Sequence, residues 1–358
     1  MNLDDLLLRD YMPVPTLRRP LTHVPRASTP AVDVHNHLGR WLGGGDWLIP
    51  DVPALLDLMD EVGVRTIVNL DGRWGAELDA NIARYDPARF PTFCHLDWSL
   101  LRGTDPTGAL IAGLRRSRDA GARGVKVWKD LGLSVTDASG ARVLPDDPRL
   151  RDVFAAAGEL GLPVLIHTAD PIAFFAPLDN RNERLEELAE NPSWWFGAPG
   201  HPTFDRLMQA LENVVAAAPG TTFIGAHVGC AAEDLGWVDG MLTRYPNFHV
   251  DLGGRLAELG RQPRATRRLI LKHPDRVLFG SDAFPPTRSA YEVYWRFLET
   301  EDECFPYAPG SRVPPQGRWD ISAIGLPPEV LAQVYAGNAR RLLNLAGGTA
   351  SALQPAHR

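Results

Sequence analysis

From residue 31 onward the chain alternates short, continuous apolar runs with longer amphipathic stretches. The runs are AVDVHNH (31–37), RTIVNLD (65–71), FPTFCHLD (90–97), GVKVWKD (124–130), LPVLIHT (162–168), TTFIGAH (221–227), NFHVDLG (247–253) and RVLFGSD (276–282). Each is rich in β-branched or aromatic residues and bounded by Gly, Pro or Asp, the pattern of strands buried on both faces of a parallel sheet. Between them DVPALLDLMDEVGV (51–64), TGALIAGLRRSRDAGA (107–122) and PRLRDVFAAAGELGL (148–162) carry a helical period, and several close on a glycine just ahead of the next strand. Eight strands alternating with helices predict an α/β fold of the (β/α)8 TIM-barrel type, residues 31–346. A doubly wound open sheet is the alternative, but no GxGxxG follows a strand and there is no P-loop.

Three stretches fall outside this rhythm. Residues 1–30 are rich in Pro and Arg and aperiodic, which predicts an N-terminal arm over the surface, and 347–358 form a C-terminal tail. The spacing of about 30 residues per βα unit is broken after the fifth run. The insertion at 170–200 carries Phe174, Phe175, Trp194, Trp195 and Phe196. A loop leaving the C-terminal end of a barrel strand lies at the mouth, so Trp194 and Trp195 are expected either to wall a substrate pocket or to seal a subunit contact. A second insertion, 302–325, adds to the same wall.

Composition narrows the functional classes. The 358 residues are 44% hydrophobic and 23% charged, enough to bury a sizeable core, and the net charge of −7 with pI near 5.8 argues against nucleic-acid binding. No apolar run approaches the ~20 residues that cross a bilayer. The opening MNLDDLLLRDYMPVPTLRRP lacks the basic and apolar regions of a secretory signal. Cys94, Cys230 and Cys304 are far apart, without a CxxC pair, so a reduced cytoplasmic setting is expected rather than a disulfide framework. Only three of the 37 basic residues are lysine, and two of them, Lys126 and Lys129, share one predicted strand segment.

The chemistry gathers at strand ends. His35 and His37 sit two apart, and strand alternation turns both to one face. The fifth run ends in His167, the sixth in His227 and the eighth in Asp282, so four strands deliver imidazole or carboxylate to the rim where barrels build active sites. Three or four nitrogens and one carboxylate suit zinc, or manganese, with a position left for water whose pKa falls toward ~7. Asp282 is then placed to accept the proton of the attacking water, and His227 to polarise the substrate or shuttle the proton. Arg73 and Arg255, after the second and seventh runs, are the favoured contacts for a carboxylated substrate, ahead of Asp71 and Asp97.

The ordered set DVHNHLG, LPVLIHT, FIGAHVG and VLFGSDA, closed by GNARRLL (337–343), resembles the amidohydrolase superfamily over most of residues 31–345. Within it the chain is most similar to the family 2 branch that contains aminocarboxymuconate-semialdehyde decarboxylase and related lactonases and hydratases. The resemblance implies that His35, His37, His167 and Asp282 hold a catalytic divalent metal, with His227 a further ligand or the acid/base beside it. Lys126 matches the segment where binuclear relatives carry a carboxylated lysine bridging two metals; one ion is expected, with two if Lys126 is carboxylated, and otherwise Lys126 and Lys129 are substrate contacts. The expected activity is metal-dependent hydrolysis of an amide, ester or lactone of a small polar substrate. Non-oxidative decarboxylation or hydration of a carboxylate is the alternative, and a catalytically inactive binding barrel a second one. A homodimer or larger homo-oligomer is expected, without nucleic-acid or membrane partners.

Overall fold

In the computed structural model, which describes residues 3–345, every one of the eight apolar runs contains a strand. They are β1 (Ala31–Asn36), β2 (Val64–Asn69), β3 (Phe93–His95), β4 (Gly124–Val127), β5 (Val164–Ile166), β6 (Phe223–Gly225), β7 (Phe248–Asp251) and β8 (Val277–Leu278). All pairings between them are parallel, β1 with β2 and then β3 through β8 in sequence order. Two seams join these groups. Ile67 N and Asn69 N donate to the carbonyls of Arg89 and Pro91, just before β3, and Val34 N donates to Phe279 O while Asp282 N donates to His35 O at 2.8 Å. The strands therefore run in a ring, 1 to 8, as the alternating pattern predicts. The expected C-terminal tail, 347–358, lies outside the described residues.

The helices begin and end where local chemistry dictates. Asp51, Asp105 and Asp147 each cap a helix by accepting a backbone N–H from the first turn, and each is followed within two residues by a proline that has no N–H to lose. Gly63 stops Val52–Val62 in a left-handed conformation (φ 84°) one residue before β2. Inside the ring Val32, Val34, Val68, Leu70, Phe93, Leu165, Ile224 and Leu278 form one cluster, which Ala336, Ala339 and Leu343 of the C-terminal segment join. Ile67, Val125, Val127, Val164, Ile166 and Val250 face the helices in the larger outer cluster. None of the helices among the described residues is long and apolar enough to cross a membrane.

One irregularity positions the chemistry. The register between β1 and β2 shifts between Asp33 and Asn36, so strict alternation fails there. Val34 packs in the inner cluster, yet its neighbour His35 also reaches the barrel centre, while Asp33 turns away to accept from Ser281 Oγ (2.6 Å), Ser281 N (2.9 Å) and Tyr291 OH (2.9 Å). Bulges that re-aim a side chain beside a site are a recurrent use of this irregularity. The arm at residues 3–30 is tied down by Arg19 to Asp320, Thr22 to Asp302 and Ser28 N to Glu299, while Leu3, Leu8, Val14, Leu17 and Leu21 stay exposed.

The Asp33 network fastens β8 to β1; burial raises the pKa of that carboxyl, and the hydrogen bonds from Ser281, Asn36 and His35 N oppose the shift. Replacing Asp33 by Ala strands several buried donors and is expected to lower unfolding free energy by roughly 3 kcal/mol or more, against about 1 kcal/mol for Tyr291→Phe, which removes a single donor. Urea unfolding measures both, and equal losses would show that Asp33 is not the hub.

Candidate metal centre

The strand ends bring four of the five expected residues around one point. His35 Nε2 and His37 Nε2 each lie 3.6 Å from Asp282 Oδ1, and His227 Nε2 lies 3.9 Å from Asp282 Oδ2. Donor atoms of His35, His227 and Asp282 all fall within 4.8 Å of one another. His167 stands at the edge: its ring packs 4.4 Å from that of His227, and its Nε2 is 3.5 Å from Asp170.

Each ring turns one nitrogen inward because the outward one is engaged; of the inward three, His35 Nε2 also meets the Lys126 ammonium at 3.4 Å. His35 Nδ1 donates to Asp251 Oδ2 (2.9 Å), His37 Nδ1 to Asp71 Oδ1 (2.7 Å) and His227 Nδ1 to the Gly253 carbonyl (2.7 Å). Those acceptors fix the tautomer and leave three Nε2 lone pairs aimed at the Asp282 carboxylate. Burial lowers the His35 and His227 pKa values well below the usual histidine range, with Lys126 and His167 respectively reinforcing the shift, and burial takes His167 down to about 3. The imidazoles are therefore neutral at physiological pH, the form that binds cations.

The donor set fits a divalent ion. His37 Nε2 and His167 Nδ1 are buried without a hydrogen-bond partner among the described residues, a state that protein interiors rarely leave uncorrected, and His167 Nε2 has only the long contact to Asp170. Nitrogen and carboxylate donors of this kind suit a borderline cation. The backbone is bent to achieve it: His227 (φ 58°), Val228 (φ 60°) and Asp282 (φ 55°) all adopt the left-handed region, which is unfavourable for side chains and worst for β-branched Val228.

The match to the Amidohydrolase family model spans residues 30–345. The chain belongs to the Amidohydrolase family. That family is metal-dependent, in keeping with the donor set. No curated relative matches the chain. Among solved structures, a 2,6-dihydroxybenzoate decarboxylase from Rhizobium is 18% identical, covering 89% of this chain and 100% of its own with a TM-score of 0.56. A dihydroxybenzoic acid decarboxylase from Polaromonas sp. JS666, with bound manganese and the inhibitor 2-nitroresorcinol, is 16% identical over 89% of this chain and 98% of its own, TM-score 0.53. A TIM-barrel protein from Bordetella bronchiseptica, 17% identical, covers 89% and 99% with a TM-score of 0.53. At these identities the likeness establishes the amidohydrolase fold.

Around the centre of this amidohydrolase the remaining expected residues separate. Lys126 projects from β4 with its ammonium 3.4 Å from His35 Nε2, and burial lowers its pKa to about 8. Arg255 is 7% exposed and donates to the Gly254 carbonyl (3.0 Å); neither cation forms an ion pair among the described residues. Lys129 instead pairs with Asp170 at 2.6 Å; burial opposes ionisation of that carboxyl, but Lys129 and His167 hold it well below its usual range. Arg73 lies over the rings of Trp41 (5.0 Å) and Trp74 (4.2 Å). In the insertion Phe174 is buried, Phe175 and Phe196 pack at 5.4 Å, and Trp195 Nε1 donates to Ala176 O. Trp194 is the more exposed indole and lies 5.3 Å from the Lys129 ammonium.

Sequence reasoning passed over Asp251, Asp170 and Trp128. Asp251 follows the same strand-end rule as the ligands, one position of NFHVDLG facing inward, and so was findable; Asp71, weighed as a substrate contact, instead supports His37. Trp128 carried no ligand chemistry, yet its ring lies 5.4 Å from His37 and 5.5 Å from His167.

Two measurements check this centre. Protein as purified is expected to hold about one divalent ion per chain, and His35→Ala/His37→Ala to lose it while keeping its circular dichroism spectrum. Asp251→Ala and Asp71→Ala, which remove no ligand, are each expected to weaken metal affinity about 10–100-fold in chelator competition; unchanged affinity would show that the outward hydrogen bonds do not set the site.

Proposed function

We propose that this amidohydrolase-family protein is a metal-dependent lyase that removes CO2 from a small aromatic or conjugated carboxylic acid without an oxidant. The observation that carries the reading is the pair of buried cations beside the centre, Lys126 and Arg255, with which no acid among the described residues forms an ion pair. A buried charge without a partner is strongly unfavourable, so a site that keeps two of them is built for an anion. The decarboxylases from Rhizobium and Polaromonas, which share the fold, agree with that chemistry.

The ion is proposed to be zinc, with manganese, bound in the Polaromonas protein, as the alternative. One ion is favoured because the described residues contain a single cluster of such donors, and Lys126 faces His35 within it. His35, His37, His227 and Asp282 would hold it, with His167 adjoining. Bound there, a divalent cation supplies positive charge that stabilises electron density gathering on the substrate. Arg255 and Lys126 draw in and orient the acid, Arg255 with its planar fork and Lys126 as a point charge. Asp282, with 19% of its side chain exposed at the mouth, is placed to relay a proton taken from solvent to the carboxyl-bearing carbon. The C–C bond then breaks, its electron pair returns to the conjugated system, and CO2 departs; Asp282 recovers a proton from solvent. His227 is not the donor, since its only N–H is committed to Gly253 O. Trp128 covers His37 and His167 and limits access of water.

One observation favours a second reading, hydrolysis of a lactone or amide that bears a carboxylate. The bare Nε2 of neutral His227, next to Asp282, is an acceptor suited to taking a proton from water. The homo-oligomer is also part of the proposal, supported by the apolar side chains that the arm leaves exposed.

Isotopic CO2 release from a panel of hydroxylated and conjugated aromatic acids, with zinc- and manganese-loaded enzyme, tests the reaction. Turnover with CO2 as product is expected, and Arg255→Met should lower kcat/KM about 100-fold, as loss of a buried charged contact does. A new carboxylate formed without CO2 when carboxylated lactones and amides replace those acids would decide for hydrolysis. Lys126→Met is expected to keep about one metal per chain; loss of a second ion would establish a bridged pair.

A further inference from the structure

On the β2–β4 side of the centre lies a cavity of about 380 Å³, within the range of small-molecule sites, which reaches Lys126 beside His35. Lys126 and Trp128 form the wall nearest the metal ligands, and Arg73 and Trp74 the far end. Trp74, Trp98 and Trp128 line the cavity, and behind it Trp128 meets Trp41 edge-on at 5.0 Å while Trp41 underlies Arg73. Flat apolar walls of this kind suit a planar ligand.

Arg73 is the unusual member. Its backbone is left-handed (φ 56°), a conformation uncommon outside glycine. Its guanidinium is braced between Trp41 and Trp74 and forms no ion pair or hydrogen bond among the described residues. The acids that face it have other partners: Asp97 accepts from Ser99 N and Oγ, and Asp130 accepts from Leu131 N. Arg73 therefore presents an oriented, unused fork of donors to the cavity, while Arg255 stands on the opposite, β7 side of the metal ligands and Lys126 between them.

We infer that the substrate is a planar dianion whose second carboxylate, remote from the reacting one, is bound by Arg73 at the β2 end of this cavity. The inference rests on the decarboxylase reading for the identity of the reacting group, but not for the binding itself. A carboxylate meets the guanidinium in two parallel hydrogen bonds, a geometry that lysine does not reproduce. With the first carboxylate toward Lys126 and Arg255, the ring between the two lies along the indole wall. Arg73 is on this basis the residue that selects dicarboxylates over monocarboxylates.

The test is equilibrium binding, followed by tryptophan fluorescence and calorimetry, of two unreactive probes to the metal-loaded full chain. Benzene-1,3-dicarboxylate is expected to bind at least tenfold more tightly than benzoate. Arg73→Gln should reduce that preference to less than twofold while leaving benzoate affinity and metal content unchanged, and Arg73→Lys should retain only part of it. Equal affinity for the two acids in the wild-type enzyme, or an undiminished preference in Arg73→Gln, would overturn the assignment, as would failure of both acids to bind. Discrimination by Arg73 without CO2 release from any acid would instead retain this inference and reject the decarboxylase reading.

Discussion

Everything at the mouth of this barrel depends on where three imidazole protons are kept. Asp251, Asp71 and the Gly253 carbonyl hold the Nδ1 protons of His35, His37 and His227, so each ring turns a lone pair inward. Without those acceptors the rings would be free to choose the other tautomer, and three neutral donors would no longer converge on Asp282. The same carboxylate of Asp251 also accepts from the backbone N–H of His227 and of Gly253, so one buried acid from β7 sets a side chain on β1 and the turn after β6. Burial raises the Asp251 pKa to about 6, against which these donors work, and near neutral pH it stays mostly ionised. Ligand geometry is thereby a property of the ring of strands rather than of any one loop.

Local backbone strain follows from the same demand. A strand alone would deliver side chains at every second position, too coarse to place four donors around a point. The irregular register of β1 brings His35 inward beside Val34, and the left-handed turns at His227 and Asp282 swing those side chains back over the ring. Each such conformation is unfavourable by about 1–3 kcal/mol, and the surrounding network compensates for it. The Asp282 N–H to His35 carbonyl bond and the Asp33–Ser281–Tyr291 contacts clamp β8 to β1 at the level where the ligands emerge. Closure of the ring and assembly of the site are one event.

The eight strands were legible because buried parallel strands write themselves as bounded apolar runs, and their C-terminal ends point to the mouth whatever the loops do. His35, His37, His167, His227 and Asp282 were legible for the same reason, since a polar residue closing an apolar run has few places to go. What alternation could not convey was the turn of Asp33 away from the centre, because a one-residue shift in register leaves no mark on the hydrophobic pattern. Nor could it tell Lys129 from Lys126. Two lysines three apart look alike in sequence, yet one is neutralised by Asp170 from the following loop while the other stands beside His35 without an acid. Asp71 and Asp97 likewise read as equivalent loop acids, and only the fold turns one to a histidine and the other to its own Ser99.

The distribution of charge that results distinguishes this site from an ordinary buried network. Structural cations elsewhere in the molecule have acids beside them: Arg184 is fully enclosed with Glu187 and Glu258, and Arg318 grips Glu186 with two nitrogens at 2.7 Å. Both pairs fix the insertion after β5 to the rest of the chain, and there the protein supplies an acid for every buried cation. At the mouth it does not. Lys126, Arg255 and Arg73 form no ion pair among the described residues, although Asp282 and Asp251 lie near Lys126, and Asp97 and Asp130 near Arg73, each carboxylate held by other donors or proposed ligands. Where Arg184 and Arg318 are paired within the chain, these three cations are not paired among the described residues, and an anion arriving at the cleft meets them without displacing an ion-pair partner.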